Sequence, residues 1–317
     1  YEMGKEIKDS GEQADDAKGK FSGFTSVLSG MGTALKAAAA ATAAAVAGAA
    51  TAIGALTTKA IEGYAAQEQL VGGVETLFKT SSDTVVGYAN DAYKTAGMSA
   101  NEYMETVTSF SASLLASMNN DTAAAAEKAN VAITDMSDNA NKMGTDISLI
   151  QNAYNGFAKQ NYTMLDNLKL GYGGTKEEMQ RLLDDASKLS GIKYDISSYS
   201  DVVDAIHVVQ TEMGITGTTA KEASTTIEGS VSSMSSAWDN WVAGMADSEA
   251  NFSQLTSNLV DSIVTVVGNI APRVIETVPR LVSGLGEIVE QLATYIPQVI
   301  QELLPPLMSG VQDLLNT

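Results

Sequence analysis

The stretch LGYGGTKE (170–177) sets Gly171, Gly173 and Gly174 just ahead of a lysine, the composition of a loop that cradles phosphate. A phosphate loop closes on Gly-Lys-Ser/Thr after a strand, so that backbone N–H groups and the lysine converge on the anion. Here Thr175 precedes Lys176, and Thr175 with Glu178 has the spacing of a capping box. The stretch is therefore predicted to be a tight turn feeding a capped helix. Two carboxylates sharing acid and base roles would need a desolvated pocket that raises one pKa. Glu177/Glu178 and Asp184/Asp185 are instead interleaved with Lys176, Arg181 and Lys188, the pattern of a solvated helix face. His207 stands in VVDAIHVVQ among aliphatic residues, with no second histidine and no cysteine in the chain to complete a zinc site. It reads as a structural histidine ahead of a ligand or a base. The serine-rich SVSSMSSAWDNW (230–241) offers hydroxyls but no activating base. Its Trp238 and Trp241, three apart, share one helical face and are expected to pack together, with an interfacial anchor as the alternative. These residues assign no catalytic, cofactor-binding or metal-binding position, and the chain is not expected to be an enzyme or to need a cofactor.

The elements that carry these residues are expected to be helices throughout. No alternating run of β-branched residues is long enough for a strand, so the fold class is all-α with no sheet. Aromatic residues make up only 6% of the 317, and Ala, Ser, Thr and Asn are abundant, which favours slender bundles and an elongated shape. A net charge of −19 opposes wrapping of nucleic acid, although a negative wall can let DNA slide past. Without cysteine there is no disulfide framework. The opening on Tyr1 reads as that of a segment excised from something longer.

Three regions follow from composition. Residues 1–60 form a charged lead-in (1–20) and an alanine-rich long helix. The helix is predicted to run on to about Phe78 with a break at Gly72-Gly73. Residues 61–229 form a compact core of several helices. Capping boxes at Ser99/Glu102, Thr175/Glu178 and Thr219/Glu222 mark helix starts, and Gly97, Gly144, Gly171, Gly191 and Gly214 mark stops. Residues 230–317 hold all five prolines and no lysine. Their apolar positions Leu285, Ile288, Leu292, Ile296, Val299, Leu303, Leu307, Val311 and Leu314 step by three and four, as in amphipathic helices. PRVIETVPRLVSG from Pro272 and PQVIQELLPPLMSG from Pro297 form a two-copy repeat.

From about Glu62 to Gly191 the chain resembles the core region of siphophage tail tape measure proteins. The phrases that carry the resemblance are YAAQEQLVGGVETLFKTSSDTVVGYAND and, more specifically, MLDNLKLGYGGTKEEMQRLL from Met164 to Leu183. TTIEGSVSSMSSAWDNWVAGMAD is similar to the segment that follows the core in such proteins. The resemblance implies a virion protein, present as a few parallel copies, commonly three, in the lumen and at the tip of the tail tube. It implies a role in setting tail length and release ahead of the genome. It also implies contact with the tail tube protein, distal tail and tail-tip hub proteins, a tail assembly chaperone and, after release, the host membrane. DNA would pass without being specifically bound. The family's core has no catalytic residues, so none is carried over. A second reading, from a different class, is a membrane-active helical toxin or pore former acting alone.

That second reading rests partly on KAAAAATAAAVAGAATAIGALTTK, where 22 uncharged residues lie between Lys36 and Lys59, enough to cross a bilayer as a helix. Only Val46, Ile53 and Leu56 carry a clearly favourable insertion term, about −0.3 to −0.6 kcal/mol each. The small pairs Ala44/Gly48 and Ala50/Gly54 suit close approach of identical helices. The run is read as a self-packing stalk, coiled-coil-like in role, with any transmembrane insertion only after release.

Overall fold

The computed structural model describes residues 43–273 and Arg280, with side chains from Ala55 onward. The charged lead-in, the first residues of the alanine run, the C-terminal three-and-four apolar series and nearly all of the two-copy repeat lie outside the described residues. The chain divides into two compact units, Tyr1–Val266 and Val267–Thr317, and the packing described here belongs to the first.

Among the described residues the secondary structure is helical, with no strand. The order is α1 (Ala43–Phe78), α2 (Ser82–Thr95), α3 (Ala100–Ser117), α4 (Thr122–Met143), α5 (Ile147–Phe157), α6 (Lys176–Ser190), α7 (Tyr199–Glu212), α8 (Thr218–Thr225), α9 (Ile227–Gly244) and α10 (252–273). Short 3-10 turns at Lys79–Ser81 and Leu165–Leu168 join α1 to α2 and follow α5.

α4 is the hub. It packs against α1, α2, α3, α5, α7 and α8. Ala125, Ala126, Ala129 and Ala132 are fully buried along it, and side chains this small let helix axes come close together. Around the hub, α3 buries Tyr103, Met104, Val107, Phe110 and Leu114 on one face, the three-and-four spacing of a core stripe. α6 buries Met179, Leu182, Leu183 and Ala186 and packs on α7, which buries Val202, Val203 and Ile206. Aromatic rings knit the far end: Phe110 meets Tyr199 edge-on at 6.2 Å, and Tyr154, Phe157 and Tyr162 follow one another at 5.8 and 6.1 Å.

Two expectations need correction. α1 runs unbroken through Gly72-Gly73 to Phe78. Two glycines cost a helix about 2 kcal/mol together. Here Val74 and Phe78 are completely buried, and Leu70 and Val71 pack on the same core, so tertiary burial outweighs that cost. The transmembrane reading also changes, because no helix among the described residues is long and apolar enough to cross a membrane. α1 turns polar soon after the alanine run, with Lys59, Glu62, Gln67 and Glu68 following. The compositional boundary at 229/230 falls inside α9, whose residues pack on α1, α2 and α8.

The five glycines read as stops all adopt positive φ; Gly144 and Gly191 are left-handed C-caps of α4 and α6, and Gly97 and Gly214 follow α2 and α7, whereas Gly171 ends no helix and lies in the loop after the 3-10 turn. Ser99 forms a full capping box, its hydroxyl accepting from Glu102 N–H while the Glu102 carboxylate accepts from Ser99 N–H at 2.8 Å.

Candidate functional site

The glycine-rich stretch closes on itself. Thr175 caps α6 by accepting from Glu178 N–H at 3.2 Å. Glu178 does not return the favour to Thr175; its carboxylate accepts from Gly173 N–H at 3.1 Å and pairs with Arg181, whose Nη2 lies at 2.5 Å. Arg181 in turn donates to the Gly171 carbonyl at 2.8 Å and stacks over the Tyr172 ring at 4.3 Å. The Tyr172 hydroxyl donates to Asp185 at 3.2 Å. A helix N-terminus preceded by glycines is a ready anion site. In this chain Glu178 supplies the anion. Gly174 is required for a different reason: a Cβ there would sit 2.3 Å from the Thr163 carbonyl oxygen, inside contact distance of backbone.

The carboxylate pairs lie on the solvated face of α6. Asp185 is held below the usual carboxylate range by Lys188, 2.7 Å away, and Glu178 is lowered by Arg181 and by Gly173 N–H. A general acid needs the opposite shift.

The strongest electrostatic feature lies between α4 and α7. His207 Nδ1 is 3.0 Å from both carboxylate oxygens of Asp135. Asp135 is 1% exposed and His207 37%, so the histidine reaches from the surface to a buried acid. Burial pushes the Asp135 carboxyl up to about 6, with His207 pulling the other way. The bond to Asp135 raises His207, with desolvation opposing. Lys128 and Asp204 pair beside them across the same two helices. Deeper in, the buried Tyr154 hydroxyl lies against the Gln210 amide, and burial raises both Tyr154 and Tyr199, with Gln210 pulling Tyr154 the other way.

One turn along α4, Asp138 is fully buried and reaches across to α8. Its two oxygens accept from Gly217 N–H at 2.6 Å and Thr219 N–H at 2.7 Å. This corrects the third capping box: Thr219 lies inside α8, buried, and the cap comes from Asp138. The sequence shows only an Asp in DMSDNAN, and nothing in its neighbours reveals a partner 79 residues away. Asp135 was missed for the same reason; His207 was legible as structural, its partner was not.

Trp238 and Trp241 do share a face of α9, with ring centroids 5.2 Å apart. Trp241 also meets Phe252 at 5.4 Å and donates Nε1–H to Thr256 at 3.1 Å, tying α9 to α10. The serine-rich turns of α9 are used in packing: Ser230, Ser233 and Ser236 are buried, and Ser236 donates to the Gly97 carbonyl at 3.0 Å. Among the described residues no cluster of three or more His, Asp or Glu side chains could hold a metal ion. No protein family, curated protein or solved structure matches this chain.

Proposed function

We propose that this chain is a structural part of a phage tail, a tape measure protein that occupies the tail tube and tip. It sets tail length during assembly and leaves ahead of the genome, working by shape and association with no chemistry of its own. The observation that carries the reading is what becomes of MLDNLKLGYGGTKEEMQRLL, the phrase most specific to the resemblance. Its glycines, Arg181, Glu178 and Asp185 are consumed in holding one turn against one helix. Conspicuous polar residues spent on internal geometry suit a docking module better than a catalyst.

The helical composition supports the ruler role. A continuous helix advances 1.5 Å per residue, so the 36 residues of α1 span about 54 Å. On this reading the protein is elongated in the tail, stands as a few parallel copies, commonly three, and meets the tail tube, distal tail and hub proteins and a tail assembly chaperone. DNA passes an acidic wall without specific binding.

In-frame deletions in the gene encoding this chain test it by electron microscopy of the resulting particles. Removing whole turns from the alanine-rich helix is expected to shorten tails in proportion, whereas removing residues 147–190 is expected to stop tail assembly. Tails of unchanged length from the first set would overturn the ruler role.

A further inference from the structure

We propose that the groove between α1, α2, α3, α9 and α10 is a docking site for an extended, basic peptide segment of a partner protein. The groove encloses about 660 Å³, the size of a site for a short ligand. Its lining mixes apolar side chains such as Val86, Trp238, Val242 and Leu255 with charged and amide groups.

The lining side chains fall into three groups. Carboxylates come first: Glu62, Asp247 and Glu249 stand against a single cation among the lining residues, Lys59. Such a surface favours a cationic occupant and repels phosphate or nucleic acid.

Amides come second, and their orientation is set by the framework. Asn240 is only 9% exposed, and its Oδ1 accepts from Ala100 N–H at 2.7 Å. Asn251 Oδ1 accepts from Gln254 N–H at 3.1 Å. Because both donors are backbone N–H groups, the oxygen of each amide is identified and the NH2 is the pole left over. Neither of these two NH2 groups has a protein acceptor among the described residues, and both asparagines line the groove. The groove thus offers N–H donors matched to carbonyl oxygens. A peptide backbone supplies carbonyls at regular intervals; a simple polyamine supplies none.

An aromatic plate comes third. Trp238 lines the groove and is held by Trp241, itself fixed by Phe252 and Thr256. An indole face receives the aliphatic stem and cation of lysine or arginine. Donors for carbonyls, carboxylates for cations and a plate for the stem together describe an extended Lys- or Arg-bearing segment. Strand-like addition is not required, since the recognition is by side chains.

Calorimetric titration of the full chain with N-acetylated, C-amidated tetralysine tests this, with spermine as the probe that carries cations without peptide units. Tetralysine is expected to bind saturably and spermine at least ~10-fold more weakly. The double variant Asp247→Asn/Glu249→Gln, on the exposed connection to α10, is expected to weaken tetralysine by ~10-fold. Glu105→Gln/Glu127→Gln, exposed and outside the groove, is expected to leave it unchanged. No saturable binding would overturn the proposal. Equal binding of spermine would overturn the peptide reading, and equal loss in the Glu105/Glu127 variant would show attraction to net charge alone.

Discussion

The α6 surface and the α4–α7–α8 seam use the same chemical vocabulary to opposite effect. On α6, Glu178 meets Arg181 and Asp185 meets Lys188 in solvent, and both acids are held low. In the seam, Asp135 meets His207 at the edge of the core and its carboxyl is pushed up to about 6, because burial outweighs the partner's pull. Exposed pairs contribute little, since water screens them and long side chains lose freedom to form them. Buried pairs barely repay their desolvation, yet breaking one leaves a buried charge without compensation. Position in the fold, and not residue type, decides which group matters.

The sharpest way to break that contrast is His207→Leu. Removing one partner of a fully buried pair costs about 3–5 kcal/mol, and with His207 37% exposed the low end of that range is expected, read as a drop in thermal stability at neutral pH. The drop should shrink in acid, where Asp135 can take a proton. The sign for the intact protein follows from both shifts being upward. Between the unfolded value of 3.8 and about 6 the folded state keeps a proton on Asp135 that the unfolded state has lost. Stability from this pair is therefore present in acid and is lost as pH rises through the folded values of Asp135 and then His207. Melting temperature should fall as pH rises from about 4 through about 6 and keep falling above 6.5 as His207 loses its proton, and Asp135→Asn should flatten that slope. A wild-type profile rising with pH over that range, with the slope unchanged in Asp135→Asn, would contradict the account.

Asp138→Ala is next in size. It strands two backbone N–H groups at the start of α8, one of them buried, and should cost about 3 kcal/mol in denaturant unfolding. Hydrogen exchange should show α8 opening first. Ser99→Ala, which removes a cap whose partners are local, should cost about 1 kcal/mol. Smallest of all, Lys188→Ala on α6 should change stability by less than about 0.5 kcal/mol, and added salt should erase even that. An α6 variant as damaging as Asp138→Ala would erase the distinction between the two regions.

How much of this was legible follows the range of the interaction. Ser99 and Glu102 are three residues apart, so their capping box could be read from spacing, and the left-handed glycines at 97, 144 and 191 could be read from type. Thr175 was legible as a cap. Its expected reciprocal partner was not, because Glu178 turns instead to Gly173 and Arg181. Gly72-Gly73 misled because local propensity cannot weigh the burial of Val74 and Phe78 against the rest of the core. The groove was not anticipated at all, since Glu62, Asn90, Asn240 and Asn258 come from separate helices.

By itself the sequence determined the helical class, the helix ends marked by Ser99, Thr175 and the glycines at 97, 144, 191 and 214, and the solvated character of α6. Those depend on hydrogen bonds and periodicities spanning a few residues, which any chain with the same local order would share. Only the tertiary structure decided that Asp135 faces His207, that Asp138 caps a helix distant in sequence and that Asn240 and Asn251 line one groove. These pairings join residues far apart along the chain, and their energies depend on burial, a property that exists only once the helices have packed.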